Sequence, residues 1–195
     1  MNLVERAKNI LLTPKTEWPV VAGEEPNIMQ IFTGYVLPLA VIPTVAMIIG
    51  YGMFETAFGQ GLTWGIAHGL AQFVSAFVVV YLTAFVIDFL APNFGSQKNM
   101  GRAVQLVAYS FTPSWVAGIL HIIPVIGWLA SLISLYGLYL MYLGLPHLMK
   151  TPQDKAVPYL VVSIIVLIVV YFVIAAIFSA IFVSIFGLSL LSGIR

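Results

Sequence analysis

The chain has 195 residues, 61% of them hydrophobic and only 8% charged, where a soluble domain carries about 25% charged residues, so most of its surface is built for lipid rather than water. Eight basic and seven acidic residues leave a net charge of +1, too little to neutralise a phosphate backbone, so nucleic acid is not an expected partner. Cysteine is absent, which removes disulfides, thiolate nucleophiles and thiolate metal sites.

The first 30 residues read as a lead segment. Met1 to Lys8 run into only a few apolar residues with no small-residue cleavage site, so the N-terminus is expected to be retained. Residues 3–12, LVERAKNILL, place Leu3, Val4, Ala7, Ile10 and Leu11 on one helical face and Glu5, Arg6, Lys8 and Asn9 on the other. A short amphipathic helix at the membrane interface is predicted. Thr13-Pro14 and Thr151-Pro152 each set a capping hydroxyl before a proline suited to the first helical position.

From residue 31 to 195 the pattern is that of an all-α, polytopic helix bundle. Five stretches are long and apolar enough for a spanning helix of roughly 20 residues: 31–53, 64–90, 103–120, 124–148 and 157–187. The third is the shortest and holds Pro113, predicted to kink it, with Ser110, Thr112 and Ser114 supplying hydrogen bonds to the freed carbonyls. The fifth is long enough to tilt or to run past the interface near Phe186 and Gly187. The turn at His121 and Pro124 is so short that the third and fourth stretches read either as two crossings or as a re-entrant hairpin.

Basic residues near span ends are retained on the cytoplasmic side. Arg6, Lys8 and Lys15 precede the first span, Lys98 and Arg102 separate the second and third, and Lys150 and Lys155 separate the fourth and fifth. The opposite side offers Glu55, Gln60, His121 and a terminal Arg195. Five crossings with the N-terminus inside and the C-terminus outside gather the basic loops on one face.

Asp88 is the sole carboxylate inside a predicted span, and an ionisable group at membrane depth is a functional-site hypothesis by default. About a turn from the inner end of its helix, it is placed to pair with Lys98, Arg102, His147 or Lys150; with Lys155 these residues form a candidate cytoplasmic-face site for a lipid headgroup or a partner. Tyr136, Tyr139 and Tyr142 follow a three-residue rhythm, and Tyr136 and Tyr139 with Tyr109 and Pro113 make a candidate polar crevice within the membrane. Gly65 and Gly69 have the GxxxG spacing that lets helices approach closely, either within the bundle or between two copies, and Gly137 and Gly144 mark the fourth helix similarly. His68 and His121 belong near the outer face and His147 near the inner one, which is no metal-ligand spacing, so neither a metal nor another cofactor is expected. No GxSxG, SxxK, HExxH or phosphate loop occurs, so enzymatic catalysis has little support, and an enzyme acting on a lipid ranks last among the readings.

From Arg102 to Val162 two runs are distinctive. RAVQLVAYSFTPSWVAGILHIIPVIGW holds Tyr109, Pro113, Pro124 and Trp128; YGLYLMYLGLPHLMKTPQDKAVPYLVV runs from Tyr136 through Gly144, Leu145, Met149, Lys150, Thr151, Pro152, Lys155 and Ala156 to Tyr159. They resemble the Yip family of five-span membrane proteins, named for interaction with Ypt/Rab GTPases, and the LLTPKTEW element resembles the short cytoplasmic lead of such domains. For eukaryotic members the resemblance implies Golgi and endoplasmic-reticulum membranes and GTPase docking through a long N-terminal region. With about 30 residues before the first span, this chain is more similar to the short prokaryotic members, which implies a cytoplasmic membrane.

Together these features lead to the expectation of a non-enzymatic membrane bundle that organises lipid or protein partners at the cytoplasmic face. The rival is a small transporter or lipid-translocating protein; five spans do not divide into two equal repeats, which weakens it, although a dimer could form the path at its interface.

Overall fold

The computed structural model describes residues 2–53 and 61–182; Glu55, Gln60, Phe186, Gly187 and Arg195 lie outside them. Two short helices, α1 (Leu3–Leu12) and α2 (Pro14–Gly23), form an N-terminal hairpin. Five helical segments of membrane-spanning length follow: Ile28–Gly52, Leu62–Phe94, Met100–Ile122, Pro124–Leu148 and a fifth helix, Gln153–Phe182. All five expected spans are present. The first and third begin earlier than hydropathy alone predicts, because Asn27 and Asn99 lie on the polar side of each boundary and accept the N–H groups of Gln30 and Arg102. Both 118–122 and 124–126 are tight 3-10 turns, and the third and fourth helical segments, 23 and 25 residues long, are each long and apolar enough for a crossing.

The third span is the centre of the bundle: 72% of its most apolar window is buried, against 17% for the fifth. The fifth instead exposes Val161, Ile165, Ile168 and Val169, as does the second at Val74, Val78, Phe85 and Phe89, which is a stable arrangement only against hydrocarbon. The third span is also broken. Its helix stops at Ser110 and restarts at Thr112, with Pro113 in the first turn of the new segment. Pro113 has no N–H for the Tyr109 carbonyl four residues back, and the Thr112 hydroxyl donates to that carbonyl at 2.6 Å instead. Thr112 oxygen lies 2.7 Å from the Tyr35 hydroxyl, which therefore donates to it. Ser110 does not share this role, since its hydroxyl is buried without a partner.

The paired glycines act inside the chain. A Cβ on Gly65 would lie 2.9 Å from the Ile48 carbonyl, and one on Gly69 2.9 Å from that of Thr44, so both seat the second span on the first. Gly137 brings the fourth span against the third, where a Cβ would meet the Ser110 carbonyl at 2.6 Å. Because rigid backbone stands in the way, Gly69→Ile is expected to cost about 1–3 kcal/mol, read as a lower melting temperature of the detergent-solubilised protein. An unchanged melting temperature would mean that the first and second spans do not meet there.

The N-terminal hairpin departs from the expected division of helix faces. Val4 is 70% exposed while Arg6 is only 3% exposed, and Ala7 and Ile10 are buried beside it. Arg6 therefore belongs to the inward face, because two carboxylates from α2 and the chain after it neutralise the guanidinium. Thr13 and Thr151 precede their helices as predicted but do not cap them: Thr13 donates to Asn9 carbonyl and Thr151 accepts from Ser96.

Candidate functional site

Polar groups concentrate at the end of the bundle that carries the N-terminal hairpin, in two separate places. The first is the seam where the hairpin docks. Arg6 Nη1 donates to Glu17 Oε1 at 2.6 Å, its Nη2 to Glu24, and Asn9 Nδ2 to Glu17 Oε2 at 3.1 Å. Both Glu17 oxygens are thus engaged, as a buried carboxylate requires. Helix ends leave carbonyls without partners, and here residues of the spans take them. Tyr136 hydroxyl donates to the Leu11 carbonyl at 3.0 Å in the last turn of α1, and Arg102 Nη1 donates to the Val21 and Glu24 carbonyls at 3.2 and 2.7 Å at the end of α2. The cation also suits the negative end of the α2 dipole. Below the seam Trp18 is fully buried against Gly144 and Leu106, with Tyr109 6.5 Å away. Arg6 lies over the Tyr109 ring at 5.4 Å.

The second place is a joint between two loops. Gln97 N–H donates to the Met149 carbonyl at 2.8 Å and Ser96 to Thr151 at 2.9 Å, so the loop after the second span is locked to the loop after the fourth. Lys98, Lys150 and Lys155 are all exposed around this joint, and Lys155 Nζ approaches Gly95. Lys150 has φ 55°, and Thr151 N–H reaches the Leu145 carbonyl at 3.4 Å. That is the closure of a helix C-terminus in which glycine is the usual residue, because a Cβ in the left-handed region costs about 1–2 kcal/mol.

These positions divide the six residues of the expected inner-face site. Lys98, Lys150 and Lys155 come together; Arg102 is committed to the hairpin; His147 is half-buried in the last turn of the fourth span. Asp88 does not make the expected ion pair with Lys98, Arg102, His147 or Lys150. Among the described residues the ion pairs are those of Arg6. Asp88 is 7% exposed with Oδ1 unpartnered, lying beside Tyr159, whose hydroxyl donates to the Ile87 carbonyl. Its helix phase turns it toward the fifth span rather than toward the loops.

The expected tyrosine crevice is likewise divided. Tyr109 lines a cavity of about 410 Å³ with Arg6, Glu24, Tyr35 and Gln105, whereas the Tyr136 and Tyr139 rings, tilted and 5.6 Å apart, line a second hollow with residues 12–16. Pro113 is buried and lines neither. The α1–α2 hairpin fills the space between the tyrosines and keeps them apart. Among the described residues no three His, Asp or Glu side chains converge as metal ligands; His68 packs on Trp64 at 4.5 Å, and His121 Nδ1 lies 3.0 Å from the Gly118 carbonyl.

Sequence reasoning missed the Arg6–Glu17–Glu24 network and Gln105. Their signals were present: Arg6, Glu17 and Glu24 recur among apolar residues of the lead, and Gln105 is a polar amide inside a predicted span, which membrane depth makes as informative as Asp88.

The family model for the Yip1 domain matches residues 8–177. The chain is also 25% identical over 156 residues to inner membrane protein YohC of Escherichia coli K12, covering 75% of this chain and 80% of that protein, and the YohC of E. coli O6:H1 matches equally. No solved structure matches.

Proposed function

The chain belongs to the Yip1 domain family and is a multi-pass protein of the cell membrane, and from that premise we propose that it is a non-enzymatic organiser of partners at the cytoplasmic face, with anionic phospholipid headgroups held at the lysine joint. In this reading the N-terminus lies inside, since seven of the eight basic residues lie on the hairpin's side of the bundle. The conformation of Lys150 carries the proposal. A lysine occupies a position where glycine would be less strained, its side chain is exposed, and no described carboxylate pairs with it. Residues held in costly backbone conformations concentrate where function keeps them.

Each lysine near an anionic surface contributes about 1 kcal/mol, so replacing Lys98, Lys150 and Lys155 together by glutamine is expected to weaken binding of phosphatidylglycerol to the detergent-solubilised protein about a hundredfold. Lys150→Gly separates the role from folding: it should leave the melting temperature unchanged or raised, by relief of strain, while lowering the affinity for phosphatidylglycerol. Phosphatidylglycerol affinity unaffected by the triple variant would refute the reading.

The rival, a transporter or lipid-translocating protein, is favoured by one observation, the buried Asp88 oxygen without a partner, since such groups recur on ion and proton pathways. Flux of protons or labelled lipid above that of empty liposomes, lost in Asp88→Asn, would establish it.

A further inference from the structure

The cavity beside the hairpin has a lining unlike the lysine joint. Its charged members are Arg6, Glu24 and Glu25. Arg6 is already neutralised by Glu17 and Glu24, and no described cation pairs with Glu25, so the lining is net negative and favours a cationic group. Deeper in, the character changes. Gln105 is 2% exposed and its Oε1 is taken by Arg102 at 3.1 Å, while its amide nitrogen has no partner among the described residues. The hydroxyl of Tyr109, 8% exposed, is likewise free. Neither atom belongs to the sealed polar atoms that lack partners, and both residues line the cavity. Their unused donors therefore face its interior and call for an acceptor on whatever fills it.

A second feature points to the membrane. The first span opens with a π-helical stretch, Phe32–Val36, inserted between two α-helical segments. Such bulges often accompany functional sites. This one sets Gly34 and Tyr35 on the cavity wall, and a Cβ on Gly34 would meet nothing within 4 Å. On the same helix Ile28 and Met29 are exposed where the span leaves the interface.

We infer that this cavity is a binding site for a zwitterionic phospholipid headgroup carrying a primary ammonium. The ammonium sits at Glu24 and Glu25, the phosphate-ester oxygens accept from Gln105 and Tyr109, and the acyl chains leave along the exposed side of the first span. A primary ammonium has three N–H donors for the carboxylates, whereas a trimethylated one has none and is bulkier. An anionic headgroup without an amine would meet the carboxylates unfavourably. This site is independent of the lysine joint and of the reading built on it.

The test is native mass spectrometry of the purified full-length protein titrated with phosphatidylethanolamine, phosphatidylcholine or phosphatidylglycerol. Phosphatidylethanolamine should bind at least about tenfold more tightly than phosphatidylcholine, and Glu25→Gln and Tyr109→Phe should each remove about tenfold of that affinity. Both variants leave the packing intact, Glu25 being exposed and the Tyr109 hydroxyl unbonded, and unchanged melting temperatures without lipid will confirm that they fold. The lysine triple variant should retain phosphatidylethanolamine. Equal binding of phosphatidylethanolamine and phosphatidylcholine, equal binding of all three lipids by the lysine triple variant, or wild-type affinity in both variants would overturn the assignment, as would displacement of the lipid by an equal concentration of soluble glycerophosphoethanolamine, which would make the ligand a free headgroup and not a lipid.

Discussion

Replacing Arg6 by alanine is expected to destabilise the protein by about 3–5 kcal/mol, because it strands the Glu17 carboxylate in the interior. The side chains of Arg6 and Glu17 are only 4% and 7% exposed. An ion pair at a wet surface contributes about 0–1 kcal/mol, and the Glu24 partner, 39% exposed, belongs nearer to that class. The large term comes from Glu17, which would keep one hydrogen bond from Asn9 and lose its countercharge. The measurement is the temperature at which half of the detergent-solubilised protein leaves its monodisperse chromatographic peak. Arg6→Leu combined with Glu17→Leu should recover most of the loss, since an apolar pair needs no desolvation of charge. If Arg6→Ala melts with the native protein, the hairpin is not docked through this pair.

How far these features are legible in the sequence depends on the kind of signal. The five spans are written as apolar length, which membrane thickness reads almost alone. Their starts at Ile28 and Met100 are less visible, because an asparagine cap is a single residue whose effect is local. Arg6 illustrates a harder case. Helical periodicity puts it with Glu5 and Lys8 on the polar face, and only the knowledge that Glu17 and Glu24 return beside it makes the inward face acceptable to a guanidinium. That is tertiary information, carried by the turn at Thr13 and the path after Gly23.

The candidate sites show the same division. The loop joint brings Lys98, Lys150 and Lys155 together because alternating crossings place their loops at one end, which counting spans already implies. Asp88 goes elsewhere because the small-residue face of 64–90, with Gly65, Gly69, Ala76 and Ala84, gives the phase of the helix but not which neighbour, the loops or the fifth span, lies against its inner end. The tyrosines follow suit: Tyr136 serves the end of α1 and Tyr109 the cavity, a partition set by a hairpin that hydropathy treats as outside the bundle.

Trp18→Ala is expected to cost about 3–5 kcal/mol, the range for emptying a large aromatic site. Trp18 is fully buried, and its indole N–H has no hydrogen-bond partner, so the loss is one of packing. Trp18→Phe, which keeps an aromatic ring and forfeits no bond, should lose much less. The partner surface is Gly144, where an added Cβ would run into Leu106 and come within 2.9 Å of the indole. Gly144→Ala alone should therefore cost about 1–3 kcal/mol by overpacking. In the Trp18→Ala background one of the two obstructions is gone, so the double variant should be more stable than the sum of the single losses predicts, with a coupling of about 0.5–3 kcal/mol. Simple additivity would mean that α2 and the fourth span do not touch. A measured coupling fixes the hairpin in the groove between the third and fourth spans, the arrangement on which the cavity beside Arg6 depends.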